Sequence, residues 1–338
     1  MNLSRSLAVL PVMALAGLAS QGQAQELDQV TFATNWLAQA EHGGYYQAVA
    51  DGTYEEYGLD VTIRPGGPQS PGRQLLIAGQ VEFYMGGMST IDAVDEGIPV
   101  VTVAAIFQKD PQVLLAHPDA PFESVADLAD ASKLIIGQSS FFDGFFPWMK
   151  ANFEGFSDDM YEPYTFNPAP FISDEMSVQQ GYLTSEPYEI ERQAGWAPKV
   201  FLLADYGYAP YSTTIETRTE LVENETDMVQ RFVEASIIGW YNYLYGDNTA
   251  ANDLIKTDNP EMTDGQLAYS LEKMKEYEIA VSGEAIDQGI GCMTDERWQT
   301  FYDDMIEAGL YEEGIDISQA YTTQFVCNGV GTDLASAE

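Results

Sequence analysis

Basic residues are scarce in this chain: 14 lysines and arginines stand against 53 aspartates and glutamates, for a formal net charge of −39. Such a surface repels the phosphate backbone and anionic lipid, so nucleic acid is not an expected partner. Histidine and cysteine are scarcer still, at two residues each. His42 and His117 are far apart in the sequence, and Cys292 and Cys327 lie far from both, so no metal cluster is expected. The patterns G-x-S-x-G, G-x-x-x-x-G-K-[ST] and H-E-x-x-H are absent. With so few candidate bases, serine–histidine or cysteine–histidine catalysis has little to draw on. The expectation is a protein that is not an enzyme and holds no cofactor. Beyond the N-terminus no run reaches about 18 uninterrupted apolar residues, so no spanning helix is expected.

What is present begins with a leader. Arg5 precedes an apolar stretch over residues 7–19, and Gly22-Gln23-Ala24 has the small-x-small form of a cleavage site. Residues 1–24 therefore read as a signal peptide cleaved near Ala24, which predicts export to the periplasm. In an exported chain Cys292 and Cys327 are a candidate disulfide. The acidic residues are spread along the whole chain and not gathered in a tail, which fits a soluble surface adapted to salty surroundings. The length favours two lobes.

Residues 30–107 alternate between strand and helix. Strands are predicted at 30–34, 59–64, 81–85 and 100–107, with helices at 43–51, 54–57 and 69–78 between them. Ser89 and Asp92 resemble a capping box. This β-α-β-α-β order predicts an α/β fold with a largely parallel sheet. Strands at 113–116, 134–137, 164–166 and 200–204 repeat the layout. Residues 139–148 read as a polar turn followed by a helix start at about Pro147, 177–180 as a helical turn, 181–187 as strand into loop, and 188–194 as a helix. From residue 219 the chain is mainly helical. Lobe one is expected to comprise 26–112 and 212–338, and lobe two 113–211.

The candidate binding residues cluster at strand ends, where open α/β sheets hold ligands. Asn35 and Trp36 end the first strand; Trp36 is either a stacking face or a core residue. In Glu41-His42-Gly43-Gly44-Tyr45-Tyr46, adjacent tyrosines point about 100° apart, so one of the two is expected to face a cleft. His42 is either a helix-start residue or a contact. The loop Gly86-Gly87-Met88-Ser89 lets a ligand approach the backbone, with Met88 and Ser89 at its end. Phe141 and Phe142 are stacking candidates or packing residues. Glu186 is either a hydrogen-bond acceptor for an amino or ring N–H group or a helix N-cap, and glutamate caps poorly.

Asn35-Trp36, then Glu41-His42-Gly43-Gly44-Tyr45-Tyr46-Gln47-Ala48, then Tyr57-Gly58-Leu59-Asp60-Val61 resembles the opening of the periplasmic solute-binding proteins of ABC importers. The similar branch includes thiamine-pyrimidine-precursor binders and sulfonate binders. Gln179-Gln180-Gly181-Tyr182-Leu183-Thr184-Ser185-Glu186-Pro187-Tyr188 is similar to the same branch. The resemblance spans about residues 27–250. It implies a two-lobed, type II-like fold, each lobe a central sheet flanked by helices, with two crossing strands as hinge. It further implies hinge closure on ligand and docking on an inner-membrane permease. By the same resemblance Trp36 and a tyrosine stack on a ring, and Glu186 and Tyr188 provide polar contacts. The expected ligand is a small planar heterocycle, such as a thiamine pyrimidine precursor, captured by a monomer. The rival ligands are a sulfonate, an aromatic acid or a flavin; an anion would call on Arg64 or Arg73. The rival of another class is a secreted enzyme. Fungal relatives of the branch are enzymes that make the thiamine pyrimidine, but they carry a cysteine-rich motif and no export signal.

Overall fold

The structure, a computed structural model, describes residues 27–68 and 70–336; the expected signal peptide lies outside them. Ten strands are assigned within this range: β1 (Asp28–Ala33), β2 (Leu59–Arg64), β3 (Phe83–Gly86), β4 (Val100–Phe107), β5 (Gln112–Ala116), β6 (Lys133–Ile136), β7 (Tyr161–Pro163), β8 (Ser177–Tyr182), β9 (Lys199–Leu202) and β10 (Ser212–Arg218). They form two five-stranded sheets, ordered β2-β1-β3-β10-β4 and β7-β6-β8-β5-β9.

The two orders are the same pattern used twice. In each sheet four strands run in one direction, and a strand from a crossing segment is inserted antiparallel between the third and the fourth. β5 enters the second sheet directly after β4 leaves the first, and β10 returns after β9. The chain therefore crosses between the two sheets twice, through 108–111 and 203–211. Arg297 fixes both crossings at once. Its guanidinium donates to the carbonyls of Gln108, Ala209 (3.1 Å) and Pro210 (3.3 Å).

A largely parallel sheet is the expectation from alternation, and four of the five strands in each sheet do run one way. The sheets are mixed, because the inserted strands come from the crossings and not from a β-α-β unit. Other local corrections have equally local causes. Residues 177–180 are strand, not a helical turn, since β8 is the central strand of its sheet and buries Ser177, Val178 and Gln179. Where a polar turn is expected ahead of a helix start at about Pro147, the chain forms the short helix Gln138–Phe142, and the next helix begins at Phe145. Ser89 makes no capping bond; its hydroxyl instead accepts from Arg73 at 2.9 Å.

The core of the first lobe stacks on Phe232 of the long helix Thr226–Tyr245. Phe83 lies 3.9 Å from it and Tyr54 5.4 Å between ring centroids, both with rings nearly parallel to it. The helix Gly43–Ala50 packs against the same long helix through glycine. A Cβ at Gly239 would come within 2.3 Å of the Gly44 carbonyl oxygen, so the two backbones meet closer than any side chain allows. Among the described residues no helix is long and apolar enough to cross a membrane.

Candidate functional site

Between the two sheets lies a cavity of about 320 Å³, at the small end of the 300–1,000 Å³ typical of sites for drug-sized ligands. Its walls come from the strand ends of both lobes. The first lobe contributes Asn35, Trp36, Gln39, Glu41 and Met85. The loop that carries Trp36 is held by short local bonds. Thr34 Oγ1 donates to the Trp36 carbonyl at 2.8 Å, and Gly66 N donates to the same oxygen at 3.0 Å. Gly66 lies so close to this loop that a Cβ would meet the Thr34 carbonyl oxygen at 2.3 Å. Asn259 Nδ2 anchors the loop's far side on the Ala38 carbonyl at 2.8 Å.

The second lobe answers with aromatics and fixed amides. Phe166, 63% exposed and at a left-handed φ of +59°, faces Trp36 across the mouth with ring centroids 5.5 Å apart. Tyr164 backs it at 5.2 Å. On the floor, Gln180 is locked in place: its Oε1 accepts from Gly137 N at 2.7 Å, and its Nε2 donates to Ser140 Oγ at 3.0 Å.

Two carboxyl groups reach this cavity. Glu186 Oε2 accepts from Tyr182 N at 2.7 Å and Oε1 accepts from the Tyr164 hydroxyl at 3.3 Å; burial nevertheless pushes its pKa up. Glu41 is 2% exposed and accepts from Thr184 Oγ1 of the opposite lobe. Its burial raises its pKa to about 7, against the hydrogen bond from Thr184, with the nearby charge of Glu186 adding to the rise. No lysine or arginine lines the cavity among the described residues.

The raised pKa has a signed consequence. Glu41 holds its proton more tightly folded than unfolded, so its contribution to stability is full below about 4.5 and is lost as pH rises to about 7. Asp110, pushed up to about 6 by burial, acts in the same direction over a narrower window. Urea unfolding at several pH values is expected to show stability falling between pH 5 and pH 7.5. Glu41→Gln keeps an acceptor for Thr184 and is expected to flatten most of that fall; an unchanged profile would remove Glu41 as its source.

Of the residues marked in the sequence, Asn35, Trp36 and Glu186 line the cavity. Met88 and Ser89 line an adjoining compartment. The others are elsewhere. Helix Gly43–Ala50 is buried on nearly every side, so neither tyrosine faces the cleft. Tyr45 packs 4.3 Å from Phe32 and 5.8 Å from Trp240, and Tyr46 donates to Asp258 at 2.7 Å. His42 is fully buried with neither ring nitrogen bonded, and burial lowers its pKa to about 3, so it is a neutral core residue. Phe141 stacks at 3.9 Å on Tyr161 in the second lobe's core, and the exposed Phe142 does not reach the cavity. Tyr188 packs against Tyr269 at 5.4 Å, outside the cavity. Cys292 and Cys327 are joined by a disulfide.

Sequence reasoning passed over Gln39, Glu41, Gln180, Tyr164, Phe166 and Tyr182. Two signals were available. Glu41 sits one residue from the marked His42, and strand alternation through 180 and 182 puts Gln180 and Tyr182 on one face.

Comparison with known proteins agrees with this architecture. Residues 39–249 match the family model described as NMT1/THI5 like. A riboflavin-binding protein, RibY, of Chloroflexus aurantiacus is 27% identical over 90% of this chain and 87% of its own length. A formylaminopyrimidine-binding protein of Halalkalibacterium halodurans is 23% identical over 74% of this chain and 79% of its own. Among solved structures, the periplasmic aliphatic sulphonate binding protein SsuA of Escherichia coli superposes with a TM-score of 0.59 at 16% identity, covering 90% of this chain and 98% of that one. The desulfurization enzyme DSZB shares the fold too, with a TM-score of 0.57 at 13% identity over 88% and 97% of the two chains. With two five-stranded sheets and a cavity between them, this chain belongs to the NMT1/THI5-like family and shares the fold of the sulphonate-binding protein above.

Proposed function

We propose that the chain is exported, captures a planar nitrogen heterocycle of the aminopyrimidine or flavin class between its lobes, and delivers it unchanged to an ABC permease. One observation carries this reading: the buried carboxyl of Glu41 and the half-buried carboxyl of Glu186 face an aromatic-mouthed cavity that no lysine or arginine lines among the described residues. Carboxyls there accept from ring N–H or amino groups and, when protonated, donate to ring nitrogens or carbonyls. Trp36 and Phe166 supply flat faces on opposite lobes at the mouth of the cavity, against which a ring can stack. The names of the two relatives, a riboflavin binder and a formylaminopyrimidine binder, support the same ligand chemistry.

The same observation weighs against an anionic ligand. A sulfonate or aromatic acid would meet Glu41 and Glu186 with no counter-charge. Arg64 lines an outer groove with Pro65, Gly66 and Pro68 and does not line the cavity. Arg73 is already paired with Glu216 at 2.7 Å. The reading also makes the protein a carrier and not an enzyme, acting as a monomer.

Trp36→Ala tests it. The variant is expected to weaken binding of riboflavin, or of an aminopyrimidine carrying a hydroxymethyl group, by about tenfold or more, the loss of one aromatic face with its buried area. Thermal-shift titration reads this as a smaller rise in unfolding temperature at equal ligand. Equal shifts in wild type and variant would remove Trp36 from the site. Recovery of chemically altered solute after incubation would favour an enzyme.

A further inference from the structure

Thr184 is fully buried, and its hydrogen bonds run to the opposite lobe. It sits at the tip of a tight loop that follows β8. Ser185 N donates to the Tyr182 carbonyl at 2.8 Å, and Glu186 Oε2 accepts from Tyr182 N at 2.7 Å, so the loop is closed at its base. At the tip, the Thr184 hydroxyl donates to Glu41 Oε1 on the turn Ala40–His42. The Thr184 carbonyl accepts from Ser270 Oγ at 2.6 Å and from Gln266 Nε2 at 2.7 Å. Both donors lie on the helix Asp264–Glu276, which packs beside that turn. One residue of the second lobe is thus gripped from two sides by the first.

The helix is shaped for this approach. A Cβ at Gly265, in its first turn, would collide with the Tyr188 hydroxyl, and Tyr269 packs on the Tyr188 ring at 5.4 Å between centroids. Every one of these contacts is protein to protein. They hold the lobes together without a solute to bridge them.

We propose that Thr184 is the catch of an interlobe latch, gripped by Glu41, Gln266 and Ser270, that keeps the lobes together in the solute-free protein. Solute then enters when a closed form opens, instead of drawing two open lobes shut. The inference does not depend on which solute the cavity takes. Latch and cavity share one loop, since Tyr182, Ser185 and Glu186, on either side of Thr184, line the cavity. Latching therefore sets that wall in advance, and it lowers apparent affinity by the fraction of molecules that are open.

Glu41 makes the latch sensitive to pH. The groups that act on it are the Glu186 carboxyl and the phenols of Tyr182, on β8, and Tyr243, on the helix Thr226–Tyr245. Burial holds both phenols above their ordinary range, so they stay neutral. Separating the lobes takes Thr184 away and wets Glu41, returning its pKa from about 7 toward 4.5. The closed form therefore holds this proton more tightly. Closure is fully supported below about pH 4.5 and loses that support as pH rises to about 7.

Small-angle X-ray scattering of the solute-free chain tests the latch. At pH 5 the wild type is expected to match the closed arrangement. Thr184→Val combined with Gln266→Ala and Ser270→Ala is expected to raise the radius of gyration by about 1 Å over the roughly 20 Å of a compact chain of this length. A similar rise is expected in the wild type at pH 8.5, and none in Glu41→Gln, which keeps an acceptor for Thr184 at every pH. The triple variant is first checked for cooperative unfolding; if it does not fold, the pH series on wild type and Glu41→Gln decides. An open wild type at pH 5, or a folded triple variant as compact as the wild type, would overturn the latch. Equal radii of the wild type at pH 5 and 8.5 would overturn its release by Glu41.

Discussion

Glu216→Ala is expected to destabilise the protein by about 3–5 kcal/mol, the usual cost of stranding one member of a buried ion pair. Glu216 is fully buried on β10, between β3 and β4. Its two oxygens accept from Arg73 Nη2 at 2.7 Å and Nε at 3.0 Å, and Thr90 Oγ1 donates to one of them at 3.3 Å. Arg73 keeps 22% of its side chain exposed, so the freed guanidinium would open onto the cleft. The variant is therefore expected to bind simple sulfonates or sulfate that the wild type ignores. Urea unfolding measures the first effect and titration with methanesulfonate the second. A loss below about 1 kcal/mol with no gain in anion binding would mean that the pair neither holds the sheet nor sets the charge of the cleft.

The Cys292→Ser, Cys327→Ser double variant is expected to lose about 4 kcal/mol, the chain-entropy value for a loop of this length. The bond closes a sequence separation of 35 residues in the C-terminal part of the chain. Its consequence reaches the hinge. Gln108, the first residue of a lobe crossing, donates from Nε2 to the Cys292 carbonyl at 2.9 Å, and its backbone N–H donates to Ile279 O at 2.8 Å. Arg297, a few residues beyond Cys292, holds both crossings. The stapled segment is thus the pad against which the hinge rests. Equilibrium unfolding of the double variant gives the loss directly; a midpoint matching the wild type would show that packing alone fixes the segment.

Much of the fold was legible because strands and breakers are local signals. The boundaries of β2 and β4 coincide with the alternating and β-branched runs that predicted them. β8 was harder. A central strand carrying Ser177, Gln179 and Gln180 has no apolar alternation to betray it, because its polar residues serve the sheet interior and the cleft. The mixed pairing was not readable either, since strand insertion from a crossing segment is a long-range event. At the site, Trp36 and Glu186 stood out because an aromatic and an acid at strand ends have little structural reason to be there. The tyrosines misled. An adjacent pair suggests one buried face and one free face, yet Gly43-Gly44 draws a second helix so close that both faces are covered. Glu41 was hidden by the charge of the chain itself: among 53 acidic residues, one more carries no signal until its burial is known.

The cavity is expected to select an uncharged planar heterocycle over an anion of similar size. Isothermal titration of the purified chain with riboflavin, a hydroxymethyl aminopyrimidine, an alkanesulfonate and benzoate tests it most directly. A dissociation constant of about 1 μM or tighter, roughly −8 kcal/mol, is expected for at least one heterocycle, with no measurable heat from either anion. Tight binding of the sulfonate or benzoate with silence from both heterocycles would contradict it.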